Sequence, residues 1–135
     1  MATVQVRYIV NDVAASIRFY VDNLGFKLDM NPNPHFAMLS LGDMRLVISP
    51  PGNMPGGGQA LPDGTKPQPG GWNRFGIQVP DLAAKIEELK KAGARFRNEL
   101  VKGTGVNQII LEDPSGNPIE LFEATIAVAQ LGGKH

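Results

Sequence analysis

A tryptophan and an arginine stand two positions apart in the middle of this 135-residue chain. The indole of Trp72 offers a flat apolar surface, and the guanidinium of Arg74 offers a planar fork of N–H donors. Side by side at the mouth of a pocket, they would bind a planar ligand with an anionic or oxygen-rich edge. The alternative is that Trp72 only anchors the neighbouring loop against the core.

The other chemically capable residues are isolated. His35 is a candidate acid–base group and Phe36 a candidate cavity wall, although a single loop histidine is commonly surface and an aromatic residue that opens a strand is commonly core. The glycine run 56–58 lacks the Gly-Lys-Ser/Thr ending of a phosphate-binding loop, so we interpret it as a flexible loop or lid. The absence of cysteine excludes disulfides, thiolate chemistry and cysteine-based metal sites.

The composition is that of a globular chain. Hydrophobic residues make up 42% and charged residues 19%, with 13 basic against 13 acidic side chains. This balance does not favour disorder or attraction to phosphate backbones, and no stretch approaches the ~20 apolar residues of a membrane helix. We therefore expect a cytoplasmic protein whose partner is a small molecule, with no nucleic-acid partner and no membrane partner.

The elements that must position these side chains occur twice. In the first copy, apolar residues alternate over 4–10, as in a half-buried strand. Asp12 then provides a helix N-cap, residues 13–24 carry apolar side chains three and four positions apart, and Gly25 is a helix stop. The pattern predicts a strand followed by a helix.

The second copy repeats this order at an offset of 69 residues, which relates Asp12 to Asp81 without gaps. Apolar residues alternate over 75–79, Asp81 is the cap, and residues 82–89 form a helical stripe that Gly93 ends. After each helix we predict three further strands. They are Lys27–Met30, Phe36–Leu41 and Arg45–Ser49 in the first copy, and Arg95–Leu100, Gln108–Leu111 and Pro118–Glu123 in the second.

These elements predict a single domain over residues 1–135, built from two βαβββ modules. The first module covers about 1–49 and the second about 72–123. The Pro/Gly-rich segment 50–71 between them is a linker or lid, and residues 124–135 form a tail.

Two segments carry a family resemblance: DVAASIRFY at 12–20, and above all DPSGNPIEL at 113–121. They resemble the vicinal-oxygen-chelate superfamily of glyoxalases, bleomycin resistance proteins and dioxygenases, and the resemblance covers nearly the whole chain. It implies an α+β fold in which the two modules form a partly open eight-stranded mixed sheet or barrel around a cavity. Modules of this superfamily are often exchanged across a homodimer. The resemblance specifies the superfamily and not the activity.

In metal-using relatives, the first and last strands of each module each supply one ligand, and these positions fall on Gln5, Val47, Arg74 and Glu120. Val47 has no donor atom, and Arg74 offers N–H groups but no lone pair. Gln5 and Glu120 alone fall short of the three protein groups that a catalytic metal site provides. We therefore expect no metal and no other cofactor, with Arg74 in place of the ion and paired with the Glu120 carboxylate.

The resemblance leaves three functions open. The first is a metal-independent binder of the bleomycin-resistance, antibiotic-sequestering type. Its candidate ligand-binding residues are Gln5, Arg7, His35, Phe36, Val47, Trp72, Arg74 and Glu120. The second is an enzyme that acts on a small oxygenated substrate, a glyoxalase-like lyase or isomerase or a dioxygenase, with Glu120 as catalytic base or with zinc, nickel, manganese or iron in an unconventional arrangement. The third is a paralogue with a collapsed cavity and no ligand.

Overall fold

The computed structural model describes residues 4–52 and 58–131. Gly56 and Gly57 of the predicted glycine loop, and residues 132–135 of the predicted tail, lie outside the described residues. The chain forms two compact units. Unit 1 contains the described residues up to Gly71 together with Pro114–Asn117, and unit 2 contains Trp72–Asp113 and the described residues from Pro118 onward.

Unit 1 is a four-stranded sheet with one helix. Its elements are β1 (Val4–Ile9), α1 (Val13–Leu24), β2 (Lys27–Asn33), β3 (Phe36–Leu41) and β4 (Met44–Ser49). The strand order is β1-β4-β3-β2, in which β1 runs parallel to β4 and the other neighbours are antiparallel. The βαβββ order that the sequence predicts for the first module is confirmed.

Helix α1 begins and ends where the sequence predicts. The Asp12 carboxylate accepts a hydrogen bond from the N–H of Ala15 at 3.0 Å, which caps the first turn. At the other end, Gly25 has a φ of 77°, in the left-handed region that residues with a Cβ avoid. The N–H of Phe26 then donates to the Tyr20 carbonyl at 3.0 Å and closes the helix.

The buried side of α1 differs from the predicted stripe. Ser16 and Phe19 are buried, whereas Ile17 and Val21 are partly exposed. Ser16 tolerates burial because its hydroxyl donates to the Asp12 carbonyl at 2.8 Å. Helical periodicity therefore located the helix, and side-chain packing decided which turn positions face inward.

Unit 2 repeats the same plan. Its elements are β5 (Gly76–Gln78), α2 (Leu82–Lys91), β6 (Arg95–Phe96), β7 (Val101–Lys102), β8 (Val106–Glu112), β9 (Pro118–Ala124) and a 3-10 turn (Ala127–Ala129). The strand order is β5-β9-β8-β6, with β7 also paired to β8. Neither the sheet of unit 1 nor that of unit 2 closes into a barrel. Neither described helix has the length and apolar character that a membrane span requires.

One predicted strand is wrong. The strand expected over Arg95–Leu100 is shortened to β6 (Arg95–Phe96), and a separate two-residue strand, β7 (Val101–Lys102), follows the predicted range, so the described residues contain nine strands in place of eight. The break has a local cause at Ile110 of β8. The side chain of Asn98 accepts the N–H of Ile110 at 2.9 Å, while the Ile110 carbonyl accepts from the N–H of Arg97 at 2.8 Å. A side-chain amide thus takes a place that a strand backbone would otherwise fill.

The strand register shows that the two modules are repeats. Arg7 of β1 lies opposite Val47 of β4, and Gly76 of β5 lies opposite Glu120 of β9. Arg7 and Gly76 are related by the same offset of 69 residues that relates the two helix caps. Both parallel pairs therefore place Val47 and Glu120 at equivalent positions of their last strands.

Part of the segment 50–71 forms ordered turns. The N–H of Leu61 donates to the Thr65 carbonyl at 2.8 Å, and the N–H of Gly64 donates to the Leu61 carbonyl at 2.9 Å. Asp63 accepts the N–H of Thr65 at 2.9 Å, and this backbone hydrogen bond lowers the pKa of the Asp63 carboxyl. Hydrogen bonding within the loop therefore compensates for its small apolar content.

The turn Pro114–Asn117, part of the DPSGNPIEL segment, belongs to unit 1. The buried Asn117 side chain donates to the Ile9 carbonyl at 2.8 Å and accepts the N–H of Gly70 at 2.8 Å. Ser115 accepts the N–H of Asn11 at 2.8 Å. One amide thus satisfies two backbone groups that lie far apart in sequence.

We predict that Asn117→Ala lowers the free energy of unfolding by about 2–3 kcal/mol, because two backbone groups lose their partner. Ser115→Ala, which removes an exposed hydrogen bond from the same turn, should cost about 1 kcal/mol or less. Urea denaturation of both variants measures the difference. Equal losses in the two variants would contradict the prediction.

Candidate functional site

Strand β9 divides its side chains between the two faces of the unit 2 sheet. Ile119 and Leu121 are fully buried on one face, and Glu123 of that face accepts the N–H of Leu82 at 2.8 Å, which fixes the start of α2. Because side chains alternate along a strand, Glu120 points to the other face. Only about a quarter of its side chain is exposed, 23%. This carboxylate is the centre of the candidate site.

Arg74 reaches Glu120 from outside the sheet. The sequence predicts Arg74 at the start of a strand, but β5 begins two residues later, at Gly76. The first hydrogen bond to β9 in this region is the one that the N–H of Glu120 donates to the Phe75 carbonyl, at 3.0 Å. Both Nη2 and Nε of Arg74 contact the same carboxylate oxygen, Oε1 of Glu120, at 2.9 Å and 3.1 Å. The predicted pairing of Arg74 with Glu120 is present in the structure, through one carboxylate oxygen.

The pair leaves polar capacity for a ligand. Within the part of the chain that the structure describes, Oε2 of Glu120 has no hydrogen-bond partner. Every buried side-chain oxygen in that part of the chain has a partner, so the unpaired Oε2 must be accessible to solvent. Arg74 is 28% exposed at its side chain and donates with Nη1 to the Trp72 carbonyl at 3.1 Å. An ion pair this accessible adds about 1 kcal/mol or less to stability. Its main effect is to orient an acceptor and several donors.

Trp72 lies beside the pair and is stacked on a second arginine. The guanidinium carbon of Arg97 lies 4.6 Å from the centre of the Trp72 ring, within cation–π distance. Arg97 Nε donates to Oε2 of Glu112 on β8 at 2.9 Å, so the cation under the ring is itself held. Trp72 is nevertheless 68% exposed, which leaves most of the indole surface open. The backbone bends sharply before Trp72, at Gly71 with a φ of 86°.

Sequence reasoning missed Arg97 and Glu112. Their charges and their spacing on a predicted strand carry no sign of an aromatic partner 25 positions earlier. Arg97 follows the last residue of β6, Phe96, and lies outside the assigned strands, so alternation along a strand could not have revealed the contact.

The candidates in unit 1 occupy one sheet face. Gln5 is exposed and lies opposite Arg45, while Arg7 lies opposite Val47 and donates to the Ser49 hydroxyl at 3.4 Å. Val47 is 1% exposed. Because paired residues on neighbouring strands point to the same side, Gln5, Arg7 and Val47 share a face. The structure thus groups these three within unit 1, and Trp72, Arg74 and Glu120 within unit 2.

His35 and Phe36 lie at the other end of the unit 1 sheet from Gln5. The N–H of His35 donates to Asn33 Oδ1 at 2.8 Å in the turn between β2 and β3. His35 and Asn33 line an open cleft of about 750 Å³ together with Asp12 at the start of α1. Phe36 opens β3 and is half-buried. His35 contributes a polar edge to this cleft and has no contact with Gln5.

The donor set does not fit a bound metal ion. Among residues 4–52 and 58–131, no group of three or more His, Asp or Glu side chains is placed to hold one. Of the positions that metal-using relatives employ, Val47 offers no donor atom and Arg74 places a cation 2.9 Å from the Glu120 carboxylate. A divalent ion at Glu120 would be repelled by that guanidinium unless Arg74 moved away.

Comparisons with known proteins agree on the fold. A family model described as "Glyoxalase/Bleomycin resistance protein/Dioxygenase superfamily" matches residues 3–121. A probable chloroplastic lactoylglutathione lyase of Arabidopsis thaliana is 32% identical over 125 residues, which are 86% of this chain and 34% of that protein. The chain therefore spans about a third of the length of this curated relative.

Two solved structures illustrate the similarity. A superfamily member from Sphaerobacter thermophilus has a TM-score of 0.70 at 24% identity, with 91% of this chain and 98% of that chain covered. TnmS3, an antibiotic binding protein from Streptomyces sp. CB03234, has a TM-score of 0.69 at 22% identity, with 93% and 98% covered. At these identities the likeness concerns the fold alone.

We predict that Arg97→Met exposes the indole of Trp72, because the side chain that covers one ring face loses both its charge and its anchor on Glu112. Trp72 is the one tryptophan of the chain, so its fluorescence reports directly on this contact. Emission should shift to longer wavelength and acrylamide quenching should increase, with a stability loss of about 1 kcal/mol.

Arg95→Met is the matched control. Arg95 is 64% exposed at its side chain and 3.9 Å from Glu112, so its removal should leave Trp72 emission unchanged. A shift of the same size in both variants would mean that Arg97 does not cover the indole.

Proposed function

Because the chain belongs to the glyoxalase/bleomycin resistance protein/dioxygenase superfamily, we propose that it binds a small organic molecule without a metal ion, as an antibiotic-sequestering protein of the bleomycin-resistance type. The observation that carries this proposal is the contact of 2.9 Å between Arg74 and Glu120. The guanidinium of Arg74 is a permanent cation, and metal-using relatives have a ligand for a divalent ion at the corresponding position.

The electrostatics at Glu120 support the absence of a metal from the proposed mechanism. Arginine keeps its proton at every pH at which proteins are folded, so Arg74 neutralises the carboxylate without an ion. Two charge-assisted hydrogen bonds to one oxygen also reduce the electron density that Glu120 could donate to a metal. The pair therefore replaces Lewis-acid chemistry with fixed hydrogen-bonding groups.

The exposed groups of unit 2 indicate the class of ligand. The Trp72 ring, open over most of its surface, would stack on a planar ring system. Oε2 of Glu120 would accept an N–H or O–H of the ligand, and the remaining N–H groups of Arg74 would donate to its oxygens. A planar molecule with both donors and acceptors at its edge satisfies all three contacts. The fold-level neighbour TnmS3 is itself an antibiotic binding protein.

Other parts of the proposal rest on the sequence. The participation of Gln5, Arg7, His35, Phe36 and Val47 in binding stays a prediction, as do the homodimer, the cytoplasmic location, and the division into modules at 1–49 and 72–123 with the linker 50–71 and the tail. None of these is required for the contacts of Trp72, Arg74 and Glu120.

We predict that planar polycyclic antibiotics bind with micromolar affinity and quench Trp72 fluorescence, because a stacked ring system contacts the indole directly. Trp72→Ala should weaken binding by about tenfold or more in calorimetry, whereas Trp72→Phe, which keeps a flat ring, should lose less. Arg74→Gln should also weaken binding, by about tenfold, because a charge-assisted donor is removed.

The calorimetric series has a clear negative outcome. If no member of an antibiotic and aromatic library binds the folded wild-type protein, the sequestration function is wrong and the paralogue without a ligand becomes the better description. If ligands bind with equal affinity to wild type and Trp72→Ala, the binding site lies elsewhere.

A second candidate function is catalysis, and the 32% identity to a probable lactoylglutathione lyase favours it. In that case the chain would act as a glyoxalase-like lyase or isomerase, or as a dioxygenase, with Glu120 as base or with zinc, nickel, manganese or iron in an unconventional arrangement. Release of the Glu120 carboxylate from Arg74 would have to come first, because both Arg74 contacts fall on its Oε1 atom.

We predict that the purified protein retains less than about one-tenth of an equivalent of zinc, nickel, manganese or iron, since two candidate ligands are too few for stable binding. Elemental analysis measures the retained metal. A lactoylglutathione lyase assay with each added metal should give no turnover above buffer. Stoichiometric metal, together with turnover that Glu120→Gln abolishes, would replace the binding proposal with the enzyme.

A further inference from the structure

The end of the described chain crosses one end of the unit 2 sheet. The N–H of Thr125 donates to the Gly105 carbonyl at 2.8 Å, just before β8 begins. Farther along, the N–H of Leu131 donates to the side-chain oxygen of Gln78 on β5. Because β9 lies between β8 and β5, the segment from Ile126 to Leu131 must pass across the end of β9. We call this segment the strap.

The strap lies toward the face of the sheet that carries Glu120. In the strand register, Gln78 lies opposite Phe122, and Gly76 lies opposite Glu120. Because side chains alternate along a strand and paired residues share a side, Gln78 and Phe122 point to the same side as Glu120. Gln78 is thus a diagonal neighbour of Glu120, at a distance of about 7 Å. Its hydrogen bond to Leu131 brings the strap to the border of the candidate site.

The large apolar side chains of the strap are exposed. Val128 is 89% exposed, Leu131 63% and Ile126 51%. No residue of the 3-10 turn Ala127–Ala129 within the strap is buried. Clustered apolar side chains that are left open beside a binding face are typical of a surface that becomes covered on binding.

One end of the strap is fixed more firmly than the other. Ile126 packs closely on Gly105, where a Cβ atom would lie 2.8 Å from the Cδ1 atom of Ile126. At the far end, the described residues provide one hydrogen bond, between Leu131 and Gln78. A segment with so few bonds and so little buried surface opens at a low cost in free energy. Leu131 can therefore leave and return while Ile126 acts as the hinge.

We propose that the strap closes over a ligand bound at Glu120 and contacts the apolar end of that ligand. This inference rests on the function proposed above and specifies its ligand further. A ligand whose polar edge meets Glu120 and Arg74 must extend about 7 Å toward Phe122 to reach the strap. Val128 and Leu131 then lose exposed apolar surface against it, which drives closure. The site thus holds extended polycyclic molecules longer than small ones.

Two lactams with the same polar edge test this requirement for length. Phenanthridin-6(5H)-one has three fused rings, and isoquinolin-1(2H)-one has two. Both present an N–H to Glu120 and a carbonyl to Arg74. Stopped-flow quenching of Trp72 fluorescence in the full-length protein measures association and dissociation rates. We expect the larger lactam to dissociate about tenfold more slowly, because the strap covers only that one.

Two variants disable the strap in different ways. Val128→Ser removes apolar surface from it, and Gln78→Leu removes the acceptor that receives its far end. Each should make the larger lactam dissociate about fivefold faster, with its association rate and both rates of the smaller lactam within about twofold of wild type. Gln78→Glu, which keeps an acceptor, should come closer to the wild type than Gln78→Leu. Val4→Ser is the matched control, because Val4 is a 62% exposed valine in unit 1.

The outcomes separate this inference from the proposed function. If Trp72→Ala weakens binding of the larger lactam but Val128→Ser and Gln78→Leu leave its dissociation rate unchanged, the strap is wrong and the binding proposal stands. Equal effects of these two variants on both lactams would also overturn the strap, because its contact would then not depend on ligand length. Quenching of Trp72 by neither lactam in the wild type would contradict both the proposed contacts at Glu120 and the strap.

Discussion

The contact between Arg74 and Glu120 determines what the candidate site can do. A carboxylate beside an open face could ligate a metal, abstract a proton or accept a ligand's hydrogen bond. Two nitrogens of the Arg74 guanidinium lie 2.9 Å and 3.1 Å from one oxygen of the Glu120 carboxylate. This contact prevents metal ligation and weakens the carboxylate as a base. The other oxygen still accepts a hydrogen bond. Binding is therefore the chemistry that this geometry retains, and any catalytic role would first require the pair to separate.

The fold delivers this pair through strand register. Parallel pairing of β5 with β9 places Gly76 opposite Glu120, and the short strand β5 leaves Arg74 free of the ladder. An arginine inside the strand would have its side chain direction fixed by the pleat, whereas Arg74 lies before the strand and curves back to the carboxylate. The equivalent register in unit 1 brings Arg7 opposite Val47, a residue without charge. One structural plan thus supports two different charge arrangements.

The two units treat their arginines differently. In unit 2, Arg74 and Arg97 each contact a carboxylate. The backbone carbonyl of Trp72 accepts from Arg74, and the Trp72 ring stacks on Arg97. These contacts form a connected set from Glu120 through Trp72 to Glu112. In unit 1, Arg45 stands on its sheet face without such a partner among the described residues. Connected charges stabilise a fixed geometry.

Local interactions explain why so much of the fold followed from the sequence. The caps Asp12 and Asp81, the glycine stops and the alternation of the strands act over a few residues, so their pattern identified both helices, the repeat of 69 residues and the superfamily. The chemistry of Arg74 is also local: a guanidinium has no lone pair in any fold, and its pairing with Glu120 followed from aligning the repeats.

Tertiary structure decided what depends on distant residues. The break after Phe96 arises because the Asn98 side chain bonds to a strand twelve positions later. Arg97 lies beside that break and under the Trp72 ring. Burial also rotated the inward face of α1 toward Ser16 and Phe19. Such contacts join residues whose separation in sequence carries no periodic signal, and only the folded backbone brings them within bonding distance.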